Sequence, residues 1–215
     1  MIQRPIYMNQ LLKFKDKHVI KIITGIRRSG KSTLLKLFKQ HLIETGISST
    51  QIIQMNFESM KLRSIRDEVS LYEAIQQQVQ EDSKTYILLD EIQVVPHWEK
   101  AINSLQVDFD VDIYITGSNA YLLSSELSTL LSGRYVEIPM LPFSFKEIME
   151  LPQYTHKDPY GVFQNYLKFG GMPMLSEYDT QTEEDEIYRT LDGIYSTVIL
   201  KDVIERNKIA DVDML

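Results

Sequence analysis

Residues 25–33 constrain the fold more than any other part of the chain. They read GIRRSGKST and match the phosphate-binding loop pattern G-x-x-x-x-G-K-[ST]. The apolar run 19–23 stands before the motif and the amphipathic run 34–38 follows it. This order predicts a buried strand, then a loop, then a helix.

Each residue type in the motif has a chemical task. Glycines let the backbone curl, so that successive N–H groups and the positive helix N-terminus surround a polyphosphate. Lys31 adds a point charge for the β- and γ-phosphates, and the Ser32 hydroxyl can ligate Mg²⁺. We therefore predict a nucleotide-phosphate site made of Gly25, Ile26, Arg27, Arg28, Ser29, Gly30, Lys31, Ser32 and Thr33.

Length and composition exclude several other classes of protein. A chain of 215 residues holds one large domain, or one domain and an extension. Cysteine is absent, which excludes disulfides and thiolate metal sites. The N-terminus lacks the apolar core of a signal peptide, and no stretch approaches the length of a membrane span. We expect a cytoplasmic protein that makes no membrane contact.

Basic residues are concentrated near the N-terminus, although the net charge of the chain is −7. Residues 1–41 hold ten Lys or Arg and one acidic residue, Asp16. Several of these charges belong to the phosphate-loop motif, so we interpret the segment as nucleotide-binding residues and solvated helix faces. A DNA contact through this segment is the alternative. The ten residues are Arg4, Lys13, Lys15, Lys17, Lys21, Arg27, Arg28, Lys31, Lys36 and Lys39.

Strand patterns alternate with helical ones as far as about residue 140. After the strand at 19–23, four further strands are predicted at 51–57, 85–89, 111–116 and 135–138. Strands that alternate with helices specify an α/β fold with a mainly parallel sheet and right-handed crossovers. We predict an α/β core at 1–140 that contains the phosphate loop.

Residues 141–215 carry helical patterns only and are predicted to form a helical extension. Ser144 and Glu147 have the spacing of a capping box, and Asp158 followed by Pro159 is typical of a helix start. No terminating signal stands at the end of the chain. We therefore expect a truncated protein, with this extension beginning a longer C-terminal region.

Two acidic residues follow the apolar run 86–89. Asp90, at the carboxyl end of a strand beside the loop, can hold Mg²⁺ and its water shell. Glu91 can orient or deprotonate the water that attacks a γ-phosphate, which favours hydrolysis over transfer to a bound acceptor. Two acidic residues after an apolar run are by themselves weak evidence for such a site. The phosphate-loop motif upstream makes that evidence strong.

Two later positions have two interpretations each. Ser118 or Asn119, after the next strand, could reach the γ-phosphate or the attacking water, or could cap the following helix. Arg134 could pair at the surface, or could supply positive charge to a transition state, often that of a neighbouring subunit.

Four segments in this order and spacing resemble the AAA-type ATPases of bacteria and archaea: GIRRSGKST, YILLDEIQVVPHWEKAINSL, YITGSNAYLLSSELSTLLSGRYVEIPMLPFSF and KFGGMP. More closely, they resemble the subgroup whose ATPase module precedes a separate C-terminal domain. The resemblance covers essentially the whole chain. It implies a P-loop NTPase fold, a five-stranded sheet in the order 5-1-4-3-2, ATP and Mg²⁺ as ligands, and a homo-oligomer as a candidate assembly.

The resemblance also implies a role for each matching residue. Residues 25–32 match the Walker A loop, and Asp90 with Glu91 matches Walker B. Ser118 or Asn119 matches the sensor at the end of the fourth strand, and Arg134 stands at the arginine-finger position. Lys31, Asp90, Glu91, Ser118, Asn119 and Arg134 are thus the catalytic candidates, with Ser32 and Asp90 as metal ligands.

Three functions remain open on sequence grounds. The leading hypothesis is Mg²⁺-dependent ATP hydrolysis that drives a conformational change in a larger protein. The second is a nucleotide-gated switch or scaffold with little turnover. Association of this switch with DNA stays open. The third, phosphoryl transfer to a small molecule, is disfavoured by Glu91 and the sensor-like pair Ser118 and Asn119.

Overall fold

The chain forms two compact units in a computed structural model that describes residues 4–80, 82–117, 130–131 and 133–197. The sheet unit comprises Pro5–Thr24 and Lys31–Pro139, and the helical unit comprises Met1–Arg4, Gly25–Gly30 and Met140–Leu215. The motif at 25–33 therefore begins in one unit and ends in the other. The division into a core at 1–140 and an extension at 141–215 stays a prediction.

The described residues of the sheet unit form five parallel strands, β1 (Ile20–Thr24), β2 (Ile52–Asn56), β3 (Thr85–Asp90), β4 (Val111–Thr116) and β5 (Tyr135–Pro139). Their order across the sheet is β2-β3-β4-β1-β5. This is the predicted order 5-1-4-3-2 read from the other edge, and the P-loop α/β fold is confirmed. The phosphate-loop strand pairs with β4 on one side and β5 on the other. The α-helices that accompany the strands in the described residues are α1 (Pro5–Phe14), α2 (Lys31–Glu44), α3 (Glu68–Gln76) and α4 (Trp98–Asp108).

Both faces of the sheet are covered, which is why β1, β3 and β4 are buried along their whole length. One face packs against the apolar stripes of α3 and α4, with the fully buried Trp98 among them. On the other face, the ring of Phe38 from α2 packs against Tyr114 at 4.5 Å between centroids. A rigid sheet of this kind fixes the positions of the side chains at its carboxyl edge.

The helical unit contains three α-helices, α5 (Phe145–Met149), α6 (Pro159–Phe169) and α7 (Glu184–Thr197), in its described residues. Ser144 and Glu147 form the predicted capping box of α5, and Asp158 caps α6 with Pro159 in its first turn. Between α6 and α7 the chain passes close to residue 143, where a Cβ on Gly171 would lie 2.0 Å from the Phe143 carbonyl oxygen. Only glycine fits there.

No helix in the described ranges is both long enough and apolar enough to cross a bilayer.

Candidate functional site

Asp90 is the centre of a cluster of polar side chains at the carboxyl ends of the strands. We call this cluster the acidic group, and it contains Ser32, Asn56, Asp90, Glu91, Gln93 and Thr116. The Ser32 hydroxyl, in the first turn of α2, donates to Asp90 Oδ1 at 3.0 Å. Asn56, at the end of β2, donates from Nδ2 to Asp90 Oδ2 at 2.8 Å. Thr116, at the end of β4, donates from Oγ1 to Asp90 Oδ1 at 2.5 Å. Because β3 lies between β2 and β4, both neighbouring strands deliver a polar side chain to the same carboxylate.

Glu91 follows Asp90 in a backbone conformation that is rare for any residue except glycine. Its φ and ψ are 56° and 47°. The backbone N–H of Glu91 donates to Thr116 Oγ1 at 3.1 Å, so one threonine contacts both acidic residues. Such a conformation persists only where its surroundings fix it, and it is typical of functional sites.

Two side chains lie against the Glu91 carboxylate. Gln93 donates from Nε2 to Oε2 at 2.5 Å. The ammonium of Lys31 lies 3.9 Å from Oε1, and the lysine is only 4% exposed. The buried lysine charge is thus compensated by a carboxylate, as burial requires.

The oxygen atoms around Asp90 suit a hard divalent cation. The serine and threonine hydroxyls and the aspartate carboxylate are all oxygen donors, and Mg²⁺ is bound in proteins through such groups with retained water. The residues of the acidic group therefore fit Mg²⁺. No cluster of three or more His, Asp or Glu side chains that could hold a metal ion occurs in the part of the chain that the structure describes.

Residues 25–30 of the motif lie within the helical unit. A Cβ on Gly25 would lie 2.3 Å from the Met140 carbonyl oxygen, so this position accepts no side chain. Ile26 packs against an apolar cluster built by α6, α7 and the segment between them. Arg28 has a positive φ of 64°, and its guanidinium contacts Met174 Sδ at 3.6 Å.

The remaining motif residues differ in exposure. Arg27 and Thr33 are half-buried, and Ser29 is fully buried. The structure brings Lys31 and Ser32 of the motif together with Asp90 and Glu91. Ser118 and Asn119, the sensor candidates, lie outside the described residues.

Arg134 lies at the amino end of the parallel strands, directly before β5, whereas Asp90 lies at their carboxyl end. Its carbonyl oxygen accepts the N–H of Ile20, the first residue of β1. Thr116, which contacts Asp90, is in register with Ile23. Arg134 precedes Tyr135, which is in register with Ile20, so Arg134 lies four residues before the level of Ile23. Four residues of strand correspond to about 13 Å along the strand direction. Across the sheet, Arg134 also lies two strands away from β4. Its guanidinium therefore does not reach the acidic group of its own chain.

Sequence reasoning did not identify three residues of the acidic group: Asn56, Gln93 and Thr116. Asn56 and Thr116 share a signal that could have found them, because each is the last residue of a strand. In parallel α/β sheets, ligands bind outside the carboxyl ends of the strands. Gln93 carries no such signal, since its contact with Glu91 depends on the left-handed turn at that residue.

A family model described as an AAA domain matches residues 17–149. An uncharacterised protein of Haemophilus influenzae is 41% identical over 218 residues, covering 100% of this chain and 54% of that protein. An uncharacterised protein of Methanocaldococcus jannaschii is 32% identical over 205 residues, covering 90% of this chain and 44% of that protein. The chain spans about half the length of these curated relatives.

Solved structures share the fold at low sequence identity. A Walker-type ATPase of Pyrococcus abyssi has a TM-score of 0.61 at 16% identity, covering 91% of this chain and 73% of that one. The RuvB Holliday junction branch migration motor of Thermotoga maritima has a TM-score of 0.54 at 15% identity, covering 100% and 72%. The ORC1 protein of Aeropyrum pernix, solved in complex with DNA, has a TM-score of 0.52 at 13% identity, covering 92% and 67%.

Proposed function

The chain belongs to the AAA domain family, and from that premise we propose that it binds ATP with Mg²⁺ and hydrolyses it. One observation carries the proposal. The Ser32 hydroxyl of the motif lies 3.0 Å from the carboxylate of Asp90, although the two residues are 58 positions apart in the sequence. A phosphate-loop serine beside an acidic strand end is the arrangement that P-loop NTPases use for Mg²⁺ and the β- and γ-phosphates.

The residues would divide the work by their chemistry. The motif amides and Lys31 would hold the phosphates, and Ser32 and Asp90 would hold Mg²⁺, which neutralises phosphate charge when bound. Glu91 would accept a proton from the attacking water or orient it. We further propose that turnover drives a conformational change in a longer protein, in keeping with the greater length of the relatives.

Steady-state ATP hydrolysis with and without Mg²⁺ tests the proposal. We expect Glu91→Gln to lower kcat by about 100-fold or more, the usual contribution of a general base, while ATP binding is kept. Lys31→Ala is the control that removes phosphate binding itself. Unchanged turnover in Glu91→Gln would disprove the water-activating role.

The second candidate, a nucleotide-gated switch with little turnover, is favoured by one contact. The Glu91 carboxylate accepts a hydrogen bond from Gln93 on Oε2 at 2.5 Å, and a hydrogen bond to the charged form makes a carboxylate a weaker base for water activation. In a switch, Gln93→Ala would leave turnover slow, and ATP and ADP would stabilise different assemblies. If the chain is instead an ATPase whose turnover this contact slows, the same variant would raise kcat.

DNA is the partner we propose to test first, since RuvB is described as a Holliday junction motor and ORC1 was solved with DNA. ATP hydrolysis should be measured with DNA, with RNA and with neither. A backbone contact through the basic N-terminal segment would make the stimulation fall steeply with salt. Stimulation that is insensitive to salt would contradict this contact.

A further inference from the structure

Arg4 is almost completely buried, with 3% of its surface exposed. It adopts a left-handed backbone with a φ of 48°, a costly conformation outside glycine that only surrounding contacts can maintain. A buried guanidinium needs partners for its N–H groups. Those partners lie in two other segments of the helical unit, residues 25–30 and residues 140–147.

The first partner is the carboxylate of Glu147, at the start of α5. Arg4 Nε donates to Glu147 Oε1 at 2.8 Å and Nη2 donates to Oε2 at 3.2 Å, a two-pronged contact. Ser144 also donates to Oε2 from its backbone N–H and its hydroxyl. Burial alone would raise the pKa of Glu147, but the hydrogen bonds from Arg4 and Ser144 lower it below its ordinary value.

The second partner is the phosphate loop. Arg4 Nη1 donates to the carbonyl oxygen of Ser29 at 3.2 Å and to that of Leu141 at 2.9 Å. A trans peptide is planar, with its C=O and N–H pointing in opposite directions. By holding the Ser29 carbonyl, Arg4 therefore directs the N–H of Gly30 to the opposite side of the loop, away from the guanidinium.

From these contacts we infer that Arg4 is a positioning residue for the phosphate loop. It ties the Ser29 peptide to Glu147 and to the carbonyl of Leu141, so that the loop is held in its phosphate-binding conformation before nucleotide arrives. The expected effect of Arg4 on ATP binding rests on the proposed function. Its effect on the order of the loop does not, and that effect can be measured without nucleotide.

The decisive variants are Arg4→Met and a matched control, Lys21→Met. Both remove a buried cation and leave a buried carboxylate, since Lys21 pairs with Asp112 inside the sheet unit. Hydrogen exchange of the nucleotide-free protein should be followed in peptides that cover residues 25–33. We expect exchange in these peptides to quicken about tenfold or more in Arg4→Met, relative to Lys21→Met, because the local opening free energy falls.

Nucleotide affinity gives the second measurement. In Arg4→Met we expect the Kd for ATP to rise about 10- to 100-fold, since a misplaced binding group has effects of that size, while in Lys21→Met it stays within about twofold of the unaltered chain. Arg4→Lys separates charge from geometry. A lysine can keep the ion pair with Glu147 but lacks the planar fork that also reaches Ser29, so loop exchange should stay fast.

Two outcomes would overturn the inference: loop exchange in Arg4→Met equal to that in Lys21→Met, or full recovery of slow exchange in Arg4→Lys. Should Arg4→Met fail to fold, Glu147→Gln and Asp112→Asn replace the pair. Glutamine keeps the capping box of α5 while it removes the charge that Arg4 contacts. If the unaltered chain binds no nucleotide, the proposed function fails and loop exchange alone decides the role of Arg4.

Discussion

Thr116 joins the two acidic residues of the site through one hydroxyl group. The oxygen donates to Asp90 and accepts the backbone N–H of Glu91, and the threonine is fully buried. The left-handed turn at Glu91 therefore depends on a residue that takes no direct part in the proposed chemistry. Its loss should disturb the geometry of both carboxylates together.

We expect Thr116→Val to lower ATP turnover and to raise the Mg²⁺ concentration needed for half-maximal rate. The variant also leaves the Glu91 N–H unpaired in the interior, at a cost of about 1–3 kcal/mol in the free energy of unfolding. The measurement is a Mg²⁺ titration of ATPase rate beside urea denaturation. Thr85→Val, at the other end of β3, removes an equally buried hydroxyl and should leave the Mg²⁺ requirement unchanged.

Single residues show how far the sequence could predict the site. Ser32, Lys31, Asp90 and Glu91 belong to motifs whose chemistry is local, and the structure brings them together. Arg4 lies in a basic stretch interpreted as nucleotide-binding residues and solvated helix faces, yet it is buried. Its burial depends on Glu147, which is 143 positions away, and no local pattern encodes that pairing.

Within the sheet, Lys21 of β1 and Asp112 of β4 form a buried ion pair. Lys21 is fully buried and also donates to the carbonyl oxygen of Lys17 at 2.8 Å. Asp112 accepts further hydrogen bonds from the backbone N–H of Asp16 and from the hydroxyl of Tyr114. Burial lowers the pKa of Lys21, and the charge of Asp112 acts against that change. The pair fixes the turn before β1 to the neighbouring strand.

Breaking this pair should cost far more than breaking one at the surface. In Lys21→Met an uncompensated carboxylate stays in the interior, and we expect the free energy of unfolding to fall by about 3–5 kcal/mol. Lys84→Met removes the partner of the exposed Asp110, and there we expect a loss of about 1 kcal/mol or less. Urea denaturation of both variants measures the two losses in the free energy of unfolding. Equal losses would contradict a larger stabilising contribution of the buried pair.

The capping box of α5 predicts a dependence of stability on pH. Glu147 has a pKa below its ordinary value in the folded chain, so its hydrogen bonds with Arg4 and Ser144 stabilise the fold above that ordinary value. The stabilisation is lost as pH falls below about 4.3 and through the lowered pKa.

Melting temperatures of the chain and of Glu147→Gln should therefore differ at neutral pH and converge as the solution is acidified. A difference that stays constant between neutral pH and pH 3 would show that the charge of Glu147 contributes nothing. Lys168, which pairs with Glu184 at the surface, gives a control in Lys168→Met, for which we expect little change in stability.

Elements were predicted from the sequence more completely than contacts between them. The apolar run of β3 and the capping residues of α5 and α6 were predicted from short patterns, because strand burial and helix capping are local properties. The contact of Asn56 with Asp90 was not predicted. It depends on the register of β2 against β3, which only the folded sheet defines.

For the whole molecule, the position of Arg134 predicts an assembly. It is exposed and stands at the amino edge of the sheet, whereas Asp90 lies at the carboxyl edge. If Arg134 supplies charge to a transition state, that site belongs to another copy of the chain. We expect turnover per chain to rise with protein concentration and to fall in Arg134→Ala.

Mixing two inactive variants tests this directly. Lys31→Ala lacks the phosphate contact, and Arg134→Ala lacks the arginine, so a mixed assembly contains some sites with both residues intact. We expect the mixture to recover part of the ATPase activity that each variant lacks alone. No recovery, with both variants folded and associated, would show that Arg134 does not act across subunits.

The strand order has a consequence for how the protein is made. β1 leaves the ribosome before both of its sheet neighbours, β4 and β5, which are encoded about 90 to 115 residues later. At about 5–20 residues per second, the strand that precedes the phosphate loop waits roughly 5–25 seconds for its partners. The phosphate loop is thus synthesised well before the sheet that supports it can form, and β1 is exposed to mispairing in the interval.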